Sequence, residues 1–412
     1  MRLSHCHNIY DLRLRAKRKL PAPIFHYIDG GAEDEWTLRR NSGAFNDYEL
    51  IPNYLTDVSN INTATRLFNR HIDWPVILSP TGMNRLFHHQ AEPAVARAAA
   101  KSGTFYTLST LATTSLENIA KETGGPKIFQ IYILKDRGLT AEFVQRCKVA
   151  GYDALCLTVD TAIAGNRERD LVHGMSMPPR FTAKSLWSYA THFEWALNLL
   201  LQPQFTLANI SSKTHALGTN TTSVADYINN QFDPSICWDD AAWLAELWGG
   251  PLTIKGVHSV HDALKAKEIG ATSIMISNHG GRQLDGAPAA VDCLPPIKEA
   301  LKDDLELIVD GGIRRGSHVV KALALGADAV SIGRPYLYGL AAGGEAGVEK
   351  ALHILKTEVA RCMALLGCRT SKDINRRHVQ CRTRLASNTT SEDLSLPENN
   401  NVPPNRENLR QC

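Results

Sequence analysis

Eight short apolar segments, each ending in polar or glycine-rich residues, recur along the 412-residue sequence. Most are separated by stretches with helical periodicity, for example residues 92–102, 140–150, 260–269 and 317–325. Near-continuous apolar strands that alternate with amphipathic helices are typical of a parallel sheet covered on both faces. Eight such units favour a closed (β/α)8 TIM barrel of the α/β class over an open doubly wound sheet. The predicted strands are residues 75–79, 105–109, 128–133, 154–160, 252–255, 273–277, 305–310 and 329–333.

Two regions depart from this regular spacing. A long excursion, about residues 161–250, follows the fourth predicted strand, and a connection of that length is usually functional or has structure of its own. Residues 381–412 are polar and cannot bury enough apolar surface to fold, so we expect a disordered tail. We therefore predict one barrel domain over residues 1–380 that includes the excursion.

The composition excludes several classes of protein. A formal net charge of +3 is too small to indicate a nucleic-acid partner. No apolar run reaches the length of a membrane-spanning helix. The nine cysteines form no CxxC pair and show no metal-like spacing, so we expect no metal site and a reducing compartment.

Polar residues follow nearly every predicted strand. Reactive groups of such barrels lie at the carboxyl ends of the strands, so these residues should converge on one face. A purely structural barrel would not need that convergence, which therefore predicts an active site. The residues are Thr81, Ser109, Gln130, Tyr132, Thr158, Asp160, Lys255, His279, Asp310, Gly333 and Arg334.

The segment SNHGGRQLD at 277–285 is the most informative of these ends. It places His279 and Arg282 in one glycine-flanked loop, where both can reach a single ligand. Histidine is suited to proton abstraction near neutral pH, and arginine can bind a carboxylate through two hydrogen bonds. The pair therefore predicts a base and a carboxylate-binding group in the same site.

Two glycine-rich loops follow the seventh and eighth strands, DGGIRRG at 310–316 and SIGRP at 331–335. The last two loops of such barrels often bind phosphate through glycine amides and a helix N-terminus, and Arg314 and Arg334 would add positive charge. Lys255 could form a Schiff base or place a positive charge beside a cofactor. The predicted phosphate site favours the second role.

Taken together, these motifs resemble the FMN-dependent L-2-hydroxy acid oxidases and dehydrogenases over about residues 8–378. The segments that carry the resemblance are SNHGGRQLDG, DGGIRRG, KALALGADAVSIGRP, GEAGV and GGAEDEWTLRRN. The resemblance implies FMN as the cofactor and oxidation of a small L-2-hydroxy acid to the 2-keto acid.

The resemblance also implies roles in substrate binding and proton transfer. His279 would take a proton from the substrate, and Asp160 would stabilise the protonated imidazole. Arg282 and Tyr27 would bind the substrate carboxylate, with assistance from Arg167.

Further implied roles concern the substrate hydroxyl and the flavin. Tyr132 would hydrogen-bond the hydroxyl, and Lys255 would lie near the flavin edge where anionic charge builds on reduction. The residues implied to line the isoalloxazine are Thr81, Gly82, Ser109, Gln130, Thr158 and Ser277. Those implied to hold ribityl and phosphate are Asp310, Gly311, Gly312, Arg314, Gly333 and Arg334.

Within this family, the bacterial membrane-associated lactate and mandelate dehydrogenases are the most similar, through SPTGMN at 79–84, AGNRERDL at 164–171 and segment 177–210. The excursion of those relatives contacts the membrane. Segment 177–210 is aromatic-rich here and suits interfacial docking, although it could equally form a subunit interface or pack on the barrel. The resemblance thus implies a peripheral enzyme of the cytoplasmic side of the inner membrane, or a cytoplasmic one, that assembles as a homotetramer.

The sequence leaves open the electron acceptor and two unrelated functions. Membrane contact would favour a quinone or another acceptor, whereas a soluble oxidase would use oxygen and release hydrogen peroxide. A phosphate-binding isomerase or lyase would explain the last two loops and Lys255, but not His279 with Arg282. A non-catalytic membrane-docking scaffold would leave the polar strand ends without a purpose.

Overall fold

In a computed structural model, residues 2–175, 183–201, 206–210 and 231–382 are described. The strands are β1 (Tyr48–Leu50), β2 (Thr65–Leu67), β3 (Arg70–Ile72), β4 (Val76–Leu78), β5 (Tyr106–Ser109), β6 (Lys127–Ile131), β7 (Ala154–Thr158), β8 (Leu252–Val257), β9 (Ser273–Ile276), β10 (Glu306–Asp310), β11 (Ala329–Ile332) and β12 (Val379–Cys381). The α-helices among these residues are α1 (Ile9–Lys19), α2 (Ala22–Asp29), α3 (Trp36–Gly43), α4 (Ala91–Lys101), α5 (Leu116–Glu122), α6 (Arg137–Val149), α7 (Glu168–Val172), α8 (Ala183–Thr191), α9 (Phe193–Leu201), α10 (Trp238–Trp248), α11 (Val260–Glu268), α12 (Ala290–Leu301), α13 (Gly316–Ala324) and α14 (Arg334–Leu366).

Strands β4 to β11 form a closed, parallel eight-stranded barrel in chain order, with β11 paired to β4. The predicted (β/α)8 barrel is therefore confirmed, including all eight predicted strands. Their bounds differ slightly, since β6 ends at Ile131 and β7 at Thr158, whereas β8 continues to Val257. The register pairs Ser109 with Gln130 and Thr158 with Lys255, so predicted site residues lie at one level.

The amino-terminal end of the barrel is closed by apolar packing. The hairpin β2–β3 inserts Leu67 and Ile72 into a buried cluster with Phe105, Ile128 and other barrel residues. A layer of packed side chains is the usual filling of a barrel of this size. The carboxyl end of the barrel is therefore the end that remains available for an active site.

Residues before the barrel form α1, α2 and α3, and a buried carboxylate anchors α2. Asp29 accepts hydrogen bonds from Arg13 Nε (2.6 Å), Arg169 Nη1 (3.1 Å) and the Tyr338 hydroxyl (2.8 Å). Burial by itself would raise the pKa of Asp29, but hydrogen bonds from Arg13 and Tyr338 lower it to about 2. This cluster fixes Tyr27, two residues earlier on α2, relative to α1, α7 and α14.

The excursion after the fourth barrel strand, β7, contains α7, α8, α9 and α10. Helices α8 and α9 pack on the rest of the chain, since the Ser188 hydroxyl accepts from Ala22 N (2.8 Å) and Trp195 Nε1 donates to Leu86 O (2.8 Å). Their other face exposes apolar side chains, namely Leu186, Trp187, Phe193 and Leu197. Among the described helices, none is long and apolar enough to cross a bilayer.

Two predicted segments of the chain lie partly or almost wholly outside the described residues. Segment 177–210 lies partly outside the described residues, which omit 176–182 and 202–205. Nearly all of the expected tail, residues 383–412, also lies outside them.

Candidate active site

The proposed base lies in a tight loop immediately after β9. His279 has a φ of 56°, and Gly280 and Gly281 continue with φ values of 66° and 74°. Glycine is needed at position 281 because a Cβ there would lie 2.5 Å from Leu38 N. The turn brings His279 Nδ1 to 2.9 Å from Asp160 Oδ1, which follows β7.

The charges around this pair favour a neutral imidazole beside an ionised carboxylate. Burial alone would raise the pKa of Asp160, but the charges of Lys255 and His279 together lower it. Burial and the charge of Lys255 lower the pKa of His279, with Asp160 opposing them. Because an ionised carboxylate only accepts, Nδ1 carries the hydrogen and Nε2 remains as the basic nitrogen.

Lys255 is the buried cation of the site. Its ammonium lies 3.9 Å from Asp160 Oδ2. Burial alone would lower the pKa of Lys255, but Asp160 and Asp310 raise it, so the side chain stays charged. A lysine that remains cationic is a poor Schiff-base nucleophile, which favours the role of a fixed positive charge.

Two arginines and a tyrosine form a cationic patch next to the histidine loop. The Arg282 guanidinium lies over the Tyr27 ring at 4.9 Å, and its Nη1 donates to the Tyr27 and Gly30 carbonyls. Arg167 approaches the same ring at 5.9 Å and pairs with Asp170 at 3.8 Å. Burial and the charge of Arg167 lower the pKa of Arg282 to about 10. An incoming carboxylate would relieve this repulsion.

Tyr132 completes the polar set on the excursion side of the barrel. Its ring packs edge-on against Phe232, with centroids 5.0 Å apart. Burial, together with the nearby Asp160 and Tyr27, raises the pKa of Tyr132, so its hydroxyl stays protonated. The hydroxyl is therefore available as a hydrogen-bond donor.

Several buried polar atoms at the strand ends have no hydrogen-bond partner among the described residues: Gln130 Nε2, Thr158 Oγ1 and Lys255 Nζ. The amide oxygen of Gln130 is held by Ser109 Oγ (3.2 Å) and Thr110 N (3.3 Å), which fixes the orientation of the amide. Buried polar groups are normally satisfied, so donors left over together indicate a ligand with acceptor atoms.

Comparison with known proteins decides the family. A sequence model described as FMN-dependent dehydrogenase matches residues 16–381. The chain belongs to this family. It is 42% identical over 370 residues to an L-lactate dehydrogenase of Pseudomonas entomophila (strain L48), covering 89% of this chain and 96% of the relative. It is 40% identical over 372 residues to glycolate oxidase 3 of Oryza sativa subsp. indica, covering 90% and 95%.

A solved structure agrees with this assignment. The monotopic membrane protein (S)-mandelate dehydrogenase superposes with a TM-score of 0.88 and 35% sequence identity, covering 92% of this chain and all of that one. The chain is thus an enzyme of the FMN-dependent dehydrogenase family, and FMN is its cofactor.

The strand ends of this FMN-dependent dehydrogenase fit a flavin. An isoalloxazine ring presents carbonyl and ring-nitrogen acceptors, which match the unpaired donors of Gln130, Thr158 and Lys255. Gly82 lies close to Leu111, since a Cβ at position 82 would be 3.1 Å from Leu111 Cβ. Thr81 is held by Asn84 Oδ1 and the Tyr336 hydroxyl, both at 2.7 Å.

Asp310, the last residue of β10, forms hydrogen bonds with residues that follow other barrel strands. Its carboxylate accepts from Ser277 Oγ at 2.7 Å and from Ser79 Oγ, which also bonds Ser331 Oγ. Gly311 and Gly312 follow with φ values of 108° and 76°. The predicted ribityl contact of Asp310 remains a prediction.

The guanidinium of Arg334 makes hydrogen bonds to backbone carbonyls that its sequence position does not reveal. Its guanidinium donates to the carbonyls of Ile28 (2.9 Å), Gly280 (2.9 Å) and Gly30 (2.8 Å). It therefore ties α2 to the histidine loop. The predicted phosphate contacts of Arg334, of Gly333 beside it and of Arg314, which bonds Ile313 O at 2.8 Å, stay predictions.

Sequence reasoning missed a buried amide pair behind the histidine loop. Asn41 and Asn278 exchange two hydrogen bonds of 2.8 Å, and Asn278 Oδ1 also accepts from Gly281 N. Gln283 also connects the histidine loop to the end of β7, because its Nε2 donates a hydrogen bond to Asp160 O at 2.7 Å. All three residues lie within or at the ends of quoted motifs, but no local pattern indicates that they meet.

Proposed function

We propose that this enzyme oxidises a small L-2-hydroxy acid, of the lactate or mandelate type, to the 2-keto acid. The observation that carries the proposal is the neutral His279, held by Asp160 at 2.9 Å, beside the Arg282 and Tyr27 patch. A base next to a carboxylate-binding site is what oxidation at the carbon adjacent to a carboxylate requires. The names of the lactate and mandelate dehydrogenase relatives support it.

The substrate carboxylate would bind Arg282, with Arg167 and the Tyr27 hydroxyl assisting. Its hydroxyl would bond Tyr132, whose phenol remains protonated. This orientation would direct the reacting carbon toward His279 Nε2, which would take a proton from the substrate. As the imidazole becomes charged, the ionised Asp160 stabilises it.

FMN, when bound, supplies the electron sink of this chemistry. Lys255 would place a positive charge beside it, where reduction builds negative charge. Thr81, Gly82, Ser109, Gln130, Thr158 and Ser277 would surround its ring system. Asp310, Gly311, Gly312, Arg314, Gly333 and Arg334 would hold the ribityl and phosphate groups.

For the acceptor, we propose a quinone reached by peripheral contact with the cytoplasmic side of a membrane. Exposed apolar side chains on α8 and α9 support such contact, as does the likeness to a monotopic membrane protein. The likeness to a glycolate oxidase supports the alternative, a cytoplasmic enzyme that uses oxygen and forms hydrogen peroxide. We also propose that the enzyme assembles as a homotetramer, as the family resemblance implies.

The substrate proposal is tested by supplying purified enzyme with L- and D-2-hydroxy acids of increasing size and an artificial dye as acceptor. Keto-acid product is then quantified as its hydrazone. We expect turnover of L-lactate or L-mandelate and little of either D-isomer. Turnover of no 2-hydroxy acid, in enzyme with full FMN content, would refute the proposal.

A further inference from the structure

A cavity of about 360 Å³ lies between the excursion and the barrel, outside the site described above. Its outer wall is α9, and its inner walls are α1, the segment 85–90 that follows β4, and α14 at residues 341–343. The volume is within the range of roughly 300–1,000 Å³ that small-molecule pockets span. The cavity could therefore hold a ring-sized ligand.

The polar lining of this cavity is strongly cationic. Arg15, Lys19 and Arg85 contribute positive charge, against one lining carboxylate, Glu194. Lys19 is ion-paired with Glu194, and Arg15 Nε donates to Ala342 O at 2.9 Å. The positive charge of Arg85 is not matched by a carboxylate in the lining.

Two nitrogens of the Arg85 guanidinium have no acceptor in the described part of the chain. Its Nε and Nη2 are buried without a partner among the described residues, and the same holds for His89 Nδ1. Buried guanidinium nitrogens that donate no hydrogen bond are costly, because the desolvation of a charged group is then not compensated. Two neighbouring residues with unpaired ring or guanidinium nitrogens indicate a ligand that presents acceptor oxygens.

The position of the cavity connects it to the active site. Phe87, which lines it, stacks on Tyr27 with centroids 6.3 Å apart, and Tyr27 lies under Arg282. On the opposite side, Trp195 of α9 lines the cavity while its helix exposes Phe193 outward. The cavity thus lies one aromatic layer from the substrate site and one helix from an exposed apolar surface.

We propose that this cavity binds the head group of a lipid-soluble benzoquinone, whose oxygens accept hydrogen bonds from Arg85 and His89. This inference rests on the proposed function and adds the site of the acceptor. The aromatic walls of Phe87 and Trp195 suit a flat ring better than a phosphate. The uncompensated guanidinium favours reduction, because negative charge develops on the quinone oxygens as electrons arrive.

The overall reaction balances. The hydroxy acid loses two electrons and two protons, from its C–H and O–H bonds, and becomes the keto acid. The quinone gains two electrons and two protons and becomes the quinol, with two new O–H bonds. No further oxidant or reductant is needed.

Binding is tested first, by calorimetric titration of oxidised holoenzyme with decylubiquinone in mild detergent. Arg85→Gln and His89→Phe should each weaken binding by roughly tenfold or more, the loss expected for one hydrogen bond to a buried donor. Arg18→Gln is the matched control, since it removes an exposed charge of α1 outside the cavity lining. Equal affinity in all four proteins, or no binding to the wild type, would overturn the proposal.

Kinetics then separate this inference from the proposed function. Enzyme reduced anaerobically by its substrate is mixed with decylubiquinone or with ferricyanide, and the return of flavin absorbance is followed. Arg85→Gln should slow reoxidation by the quinone about tenfold and leave that by ferricyanide unchanged. If the substrate bleaches the flavin but the variant reacts with quinone normally, the inference alone fails. If inorganic phosphate binds through Arg85 without affecting quinone reoxidation, the cavity is an anion site and the inference is wrong.

Discussion

Replacing Asp160 by asparagine tests the electrostatic account of the base. The substitution keeps the side-chain shape but removes the negative charge that lies 2.9 Å from His279 Nδ1 and 3.9 Å from Lys255 Nζ. A hydrogen bond to a charged partner contributes about 1.5–3 kcal/mol, and the imidazole is charged only after it has taken the proton. We therefore expect flavin reduction to slow roughly 10- to 150-fold, with weaker effects on substrate affinity.

The substitution should also shift the pH dependence of the rate of flavin reduction in a definite direction. A base must be neutral, so the rate in the wild type should fall as the pH drops through the pKa of His279, which lies below its ordinary value. Asp160 raises that pKa, whereas Lys255 lowers it. In Asp160→Asn the acid limb should therefore move to still lower pH while the maximum rate decreases.

The assay is anaerobic stopped-flow measurement of flavin bleaching by L-lactate or L-mandelate across a pH series. Asp292→Asn is the matched control, because that carboxylate bonds Arg40 and Tyr48, away from the histidine loop. FMN content verifies that each variant is loaded. An Asp160→Asn enzyme that bleaches at the wild-type rate, or whose acid limb moves to higher pH, would refute the reasoning.

Four further predictions follow from individual contacts. His279→Gln should retain FMN, seen by its visible absorbance, but should not be bleached by substrate; rapid bleaching would rule out His279 as the base. Lys255→Met should lower the flavin reduction potential in a redox titration, because a buried positive charge beside the reduced cofactor is lost; an unchanged potential would place Lys255 away from the flavin. Asn41→Leu should lower the free energy of unfolding in urea by about 1–3 kcal/mol, since Asn278 is left partly unpaired; full stability would mean that the pair is dispensable. Trp187→Gln should reduce flotation with anionic vesicles while Tyr54→Gln should not, although the two side chains are 73% and 80% exposed; equal flotation of both variants would argue against docking through α8.

The barrel was predictable because its signal repeats. Each strand is a short apolar run buried on both faces, and each ends where the polar residues begin, so errors of two residues at β6 or β7 did not alter the topology. The approach of His279 to Asp160 was predictable only through the resemblance to a known family. Composition and spacing placed both residues on one face but could not bring them to hydrogen-bonding distance.

Contacts between distant segments were not predictable in this way. Arg334 carries the sequence context of a phosphate ligand, yet three of its hydrogen bonds go to backbone carbonyls about 50 or 300 residues away. The cavity around Arg85 is assembled from α1, the segment after β4, α9 and α14. A backbone carbonyl or an unpaired nitrogen has no residue-type signature, so only the folded chain reveals these partners.

The most direct test of the central claim is an anaerobic titration of the purified yellow protein with L-lactate and then with L-mandelate, followed by flavin absorbance. We predict that one of the two acids bleaches the flavin fully and that the matching keto acid forms in equal amount. Subsequent reoxidation should be fast with decylubiquinone and slow with oxygen; fast peroxide formation would instead indicate an oxidase. A flavin that neither acid bleaches would contradict the proposed substrate class.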